Sequence, residues 1–224
     1  MPIASSTRKK AYKGLPMEGV IASWYAKSTG ANLAEFETEA ARIGARLAPG
    51  ARVLEIAPGP GYLAVALARS GDFRVTGLDI SRSFVRIASE NAARAGCAVE
   101  FIEGDAAAMP FAADTFDFIV CRAAFKNFTD PDGALREMHR TLRDGGEAVI
   151  IDMSRDASDV EIDAHVEAMK LPWVDALMTR TILKHPLRNA AYSRADFDHM
   201  ATASPFNGAE IREESIGLEV WLRK

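Results

Sequence analysis

Three acids and two glycines in the first half of the chain have the arrangement of a ligand site. Glu55 stands near the end of the apolar run "VLEI", with Ile56 between it and "APGPG". Asp79 ends "VTGLD", and Asp105 follows "FIEG". An acid at the close of each successive apolar run sets hydrogen-bond acceptors side by side. Gly59 and Gly61 lack a Cβ, so backbone can approach a ligand closely there. The helix-like pattern from Tyr62 adds free N–H groups and partial positive charge at its start.

Such residues need a frame that gathers them. From Ala51 to Met153 the chain alternates between short apolar runs and amphipathic stretches. "ARVLEIA", "FRVTGLD", "AVEFIEGD", "TFDFIVCR" and "EAVIIDM" read as strands. The stretches from about Tyr62 to Ser70, "SRSFVRIASENAARAG" and "DPDGALREMHRTLRDGG" read as helices, with Ser81 as an N-cap. This rhythm predicts an α/β domain with a mostly parallel sheet and helices on both faces. In such sheets ligands bind beyond the carboxyl ends of the strands, where these acids fall.

Helices are expected over 17–29 and 32–48, and residues 1–16 are expected to be poorly ordered. Beyond Met153, residues 154–163 read as a polar loop and 164–184 as helical with a break at Pro172. A further helix begins near Ser193, and "GAEIREESIGLEVWLRK" reads as a terminal antiparallel hairpin. We therefore divide the chain into a tail with capping helices (1–48) and a ligand-binding domain (49–224). The latter carries a helical insertion at about 154–204.

Composition narrows the partners. The net charge of -4 argues against a nucleic-acid binder, and "STRKKAYK" is short enough to be a solvated tail. Cys97 and Cys121 have no metal-ligand spacing and are expected to be free thiols. The acids Asp152, Asp156, Asp159, Glu161 and Asp163 read as a solvated loop, not a metal site. No pair among the four histidines has metal-binding spacing. No apolar run is long enough to span a bilayer, and the start of the chain lacks the apolar core of a signal peptide. The expectation is a cytoplasmic monomer or homodimer with no membrane or nucleic-acid partner.

Two ligands compete for the glycine turn. The string Gly59–Ala64 fits G-x-G-x-x-A, which would make the chain an NAD-dependent oxidoreductase. Glu55 argues the other way. A carboxylate there is awkward beside a pyrophosphate but suits a ligand with ammonium and sulfonium groups. Asp79 suits ribose hydroxyls under either reading, and Asp105 can accept from an adenine amino group.

At these residues the sequence resembles the class I S-adenosylmethionine-dependent methyltransferases of the small-molecule type. "VLEIAPGPG" is similar to their first motif and "VTGLDIS" to their ribose-binding motif. "GDAAAMPF" is similar to the adenine-binding motif, and "FDFIVCRAAFKNFTDPDGALREMHRTLRDGG" to the fourth-strand motif with its helix. The resemblance runs from about residue 50 to 153. It implies a Rossmann-like seven-stranded sheet with a reversed last strand, S-adenosyl-L-methionine as cofactor and S-adenosylhomocysteine as by-product. It implies that Glu55, Ala57, Gly59 and Gly61 form the methionine-side wall. Asp79 and Ile80 would hold ribose and adenine, Asp105 and Ala106 the adenine edge, and Cys121 and Arg122 the methionine end.

The chain departs from that pattern in three places. Ala57 stands where the family usually has glycine, Pro58 and Pro60 stiffen the turn, and Lys126-Asn127 replace histidines found in many relatives. Lys126 and Asn127 are therefore the candidate catalytic pair, Lys126 as a base if burial lowers its pKa. Tyr25 is expected beside the cofactor. Trp24, Phe125, Met169, Trp173 and Met178 are expected to line the acceptor pocket, although the same apolar set also suits ordinary packing. A protein that keeps the fold without methylating is a further alternative.

Overall fold

A computed structural model describes residues 12–13, 17–30 and 33–224. Apart from Tyr12 and Lys13, the expectation for residues 1–16 lies outside these. Seven strands form one sheet in the order β3-β2-β1-β4-β5-β7-β6. They are β1 (Arg52–Ile56), β2 (Arg74–Asp79), β3 (Glu100–Glu103), β4 (Phe116–Arg122), β5 (Leu142–Met153), β6 (Glu210–Glu214) and β7 (Gly217–Arg223). The first five are parallel, while β7 runs antiparallel between β5 and β6. The hairpin and reversed strand expected from the sequence are both present.

Side chains alternate across the sheet and build a core on each face. Val53, Phe118, Val120 and Val149 pack against α2 (Leu33–Gly44) and α3 (Tyr62–Ser70). Leu54, Ile119, Cys121 and Ile150 pack with residues of α5 (Pro131–Thr141) and α9 (Arg194–Ala203). Near one edge of the sheet, α1 (Gly19–Thr29) rests on α4 (Arg82–Arg94) through Ala22, Ala26, Phe84 and Ile87. The Ser81 hydroxyl accepts from Phe84 N–H, as an N-cap should.

Two stretches differ from expectation. "LRDGG" was expected to finish the helix after β4, but α5 ends at Thr141. Leu142 pairs with Phe116, residues 143–146 bulge, and pairing resumes at Glu147 opposite Phe118. Burial of Leu142 in the core wins over helix continuation, and Gly145, at φ +75°, makes the bend. The acidic run after Met153 is also not all loop. Ser158 and Glu161 form a capping box that starts α6 (Asp159–Ala168). The chain continues through α7 (Trp173–Ile182), a π turn at Leu183–Leu187 and a single turn, α8 (Arg188–Ala190).

Candidate functional site

The strand order reverses between β1 and β4, which run side by side with Ile56 opposite Cys121. That reversal is where open α/β sheets hold ligands. The chain leaves β1 through Ala57–Gly61 and leaves β4 through Arg122, so these residues border one crevice.

Ala57 takes a left-handed backbone, φ +54°, and its N–H donates to the Leu78 carbonyl at 2.7 Å. Strand pairing holds an L-residue in a conformation that favours glycine. Ala57→Gly should therefore stabilise the protein by roughly 0.5–1 kcal/mol in thermal or urea melts. A lower melting temperature would show that the turn bears no such strain. Gly59, at φ +53°, lies under the ring of Tyr25, which a Cβ there would meet at 4.0 Å. Gly61 is needed for a different reason than ligand approach. Its φ is +78°, and a Cβ would stand 2.8 Å from both the Ala88 methyl and the Phe101 ring. This glycine lets α3 and α4 close on the sheet.

Glu55 lies wholly inside, on the α3 side of the sheet. The Ala64 backbone N–H steadies its carboxyl, but Oε2 has no hydrogen-bond partner. Burial pushes its pKa up to about 8, against the pull of the Ala64 N–H and the Arg122 charge. Asp79 is also buried, which raises it to about 6. Its two oxygens accept from Ser81 N–H at 2.8 Å and Gly59 N–H at 3.0 Å. Asp79 therefore braces the glycine turn as well as facing the crevice. Ile80 beside it leaves its apolar side chain 41% exposed, a surface against which a flat ring can lie. Asp105 Oδ1 accepts from Ala107 N–H at 2.9 Å, which closes a turn and places Ala106 at the end of β3.

Lys126 is buried, with an exposure of 5%. Its Nζ donates to Asp152 Oδ1 at 2.6 Å and to the Ala123 carbonyl at 2.9 Å. Asp152, expected in a solvated loop, is instead the buried acid at the end of β5, and it also accepts from Lys126 N–H. Its place continues the pattern of Glu55, Asp79 and Asp105, a signal legible in "VIIDM". Asn127 gives its carbonyl to Lys13 N–H at 2.7 Å, and Tyr12 bridges to Phe128. Tyr12 was missed from the sequence. Burial raises its pKa, as it does that of Tyr25, and the charges of Asp79 and Asp152 add to the effect at Tyr12.

The proposed acceptor residues are not gathered around one cavity. Phe125 is core, against Phe128, Tyr192 and Phe197. Trp24, Met169, Trp173 and Met178 are exposed. None of the five lines either of two open cavities, one of about 570 Å³ along α3 and one of about 480 Å³ beside His165 and Ser215. Cys121 is fully enclosed in the core and so does not offer its side chain to the crevice. Cys97 and Cys121 are both free. No metal-ligating cluster occurs among the described residues. No helix among them is long and apolar enough to cross a membrane.

S-adenosylmethionine fits this donor set. The buried, unpartnered Oε2 of Glu55 calls for a proton or a cationic donor, and Asp79, Ile80 and Asp105 suit an adenosyl group. Comparison with known proteins agrees. Residues 53–146 match the family model described as a methyltransferase domain. A demethylmenaquinone methyltransferase of Thermus thermophilus is 37% identical over 102 residues, 45% of this chain and 46% of that protein. A ubiquinone/menaquinone biosynthesis C-methyltransferase of Cupriavidus metallidurans is 32% identical over 135 residues, covering 58% and 55%. The chain thus spans about half the length of the relatives it matches. The fold is shared with a Methanococcus maripaludis protein proposed to be an S-adenosyl-L-methionine-dependent methyltransferase. The TM-score is 0.72, with 22% identity and coverage of 96% and 97%. Strand order and glycine turn thus go together with a match to a methyltransferase domain over residues 53–146, on a fold shared with the Methanococcus maripaludis protein.

Proposed function

We propose that the protein transfers a methyl group from S-adenosylmethionine to a small-molecule acceptor in the cytoplasm, and that the acceptor carries a quinone-type ring. The observation that carries the cofactor assignment is the buried Glu55 carboxyl under the glycine turn, whose Oε2 has no hydrogen-bond partner. A pyrophosphate would only hold that carboxyl protonated, whereas a cationic group favours its ionised form and can pair with it, which disfavours the NAD reading. The names of the relatives support the acceptor class.

Bound at this crevice, the cofactor supplies a methyl group already activated on a sulfonium. The chain's residues then have to bind and align. Asp79 accepts from ribose hydroxyls, Ile80 and Asp105 receive the adenine, and Glu55 faces the ammonium end. Tyr25 closes over Gly59 and limits water. Alignment of two reactants is itself a large part of such a rate enhancement. Lys126, tied as a donor to Asp152 and Ala123, acts as a buried structural cation rather than as the base.

Calorimetric titration tests the assignment. S-adenosylhomocysteine should bind and NAD should not. Asp79→Ala should weaken the binding by about 1.5–3 kcal/mol, the range for hydrogen bonds to a charged group. Binding of NAD alone would overturn the proposal. Incubation with S-adenosylmethionine and a demethylated quinol, read by product mass, then tests the acceptor.

A further inference from the structure

Arg122 is the last residue of β4, one beyond Cys121, which pairs with Ile56 at the end of β1, so it stands where β4 opens into the crevice. Its guanidinium does not extend into solvent. It forms an ion pair with Glu35 at the start of α2 and lies 4.8 Å from the centre of the Phe36 ring. Phe36 in turn packs on Tyr62, whose hydroxyl donates to the Ala26 carbonyl at 2.8 Å. The start of α2 is thus joined through one arginine to the methionine end of the crevice. Arg122 also acts electrostatically on Glu55 and Tyr25.

A methionine-type ligand brings a carboxylate as well as an ammonium. Glu55 provides for the ammonium. Among the described residues, Arg122 is the cation at the reversal of strand order suited to the carboxylate, because Lys126 is buried and committed to Asp152. A guanidinium binds carboxylates through two parallel N–H groups. Its present partner, Glu35, is half-exposed, so their pairing is a weak one that a competing carboxylate can replace.

We propose that Arg122 is shared between Glu35 and the carboxylate of the adenosyl ligand, so that Glu35 competes with the ligand and the start of α2 is released when the ligand binds. This rests on the cofactor reading above. It makes Arg122 the residue that distinguishes an intact amino-acid tail from a truncated one, and Glu35 the residue that sets how tightly the tail is held.

The test uses two ligands that share the adenosine and differ in the tail: S-adenosylhomocysteine and 5′-methylthioadenosine. Affinities are measured by calorimetry on the full chain and on Glu35→Gln, Arg122→Met and Arg122→Lys, each first checked for an unchanged melting profile. Glu35→Gln should bind S-adenosylhomocysteine about two- to five-fold more tightly. Arg122→Met should bind it roughly ten-fold or more weakly, with partial recovery in Arg122→Lys. Methylthioadenosine should be indifferent to all three. Unchanged or weaker S-adenosylhomocysteine binding by Glu35→Gln would overturn the competition. Equal effects on both ligands would show that the pair only supports the fold. If the unsubstituted protein bound neither ligand, the cofactor reading would fail and the inference with it.

Discussion

Lys126→Met is expected to destabilise the protein by about 3–5 kcal/mol, the typical cost of stranding one partner of a buried ion pair. Both partners are buried, with Nζ 2.6 Å from Asp152 Oδ1. Removal of the ammonium leaves Asp152 with backbone donors alone, the N–H groups of Lys126 and Met153. The double variant Lys126→Met, Asp152→Leu should recover most of the loss, because an apolar pair of similar volume avoids the desolvation cost. Urea denaturation of the two variants decides the point. A loss below about 1 kcal/mol in the single variant would show that the pair contributes no more than a surface salt bridge. A double variant that folds yet retains turnover would also remove Lys126 from any role as a base.

The second large effect concerns pH. Glu55 titrates at about 8 in the fold, above the 4.5 of a free glutamate. Between these values the folded protein holds a proton that the unfolded chain has lost. Stability of the ligand-free protein should therefore fall as pH rises through this window, and Glu55→Gln should remove that part of the slope. A cationic ligand has the opposite preference, since it favours the ionised carboxyl. Affinity for S-adenosylmethionine should accordingly increase with pH up to about 8, by at most roughly ten-fold per unit. Binding should release a proton, visible as a heat that changes with the ionisation enthalpy of the buffer. Glu55→Gln should bind more weakly and without that pH slope. A flat affinity profile in the unsubstituted protein would show that Glu55 does not meet the cation.

Local rules made the frame legible. The alternation of apolar runs and amphipathic stretches, the Ser81 cap and the glycine turn each act within a few residues, and the structure bears all three out. The acids at the strand tips were legible for the same reason. Side-chain pairings across long sequence separations were not. Lys126 read as a candidate base because nothing nearby in the sequence neutralises it, while its partner Asp152 lies on the next strand. Tyr12 sits in a basic stretch whose composition reads as a tail, yet it bridges to Phe128. The apolar residues expected around an acceptor carried no directional signal. Phe125 went to the core, and Trp24, Trp173 and Met178 to outer surfaces.

The two borders of the sheet also bear on how copies of this chain meet. One border is β3, only four residues long, with Glu100 and Glu103 at its ends. The other is β6, whose exposed residues include Glu210, Arg212, Glu213 and Glu214. A second copy adding its own strand to either border would bring like carboxylates together along a short ladder. Edge-to-edge growth of the sheet is disfavoured, which guards the protein against fibrous association during heating or slow folding. Strand addition is thereby the less favoured route by which copies of this domain could associate.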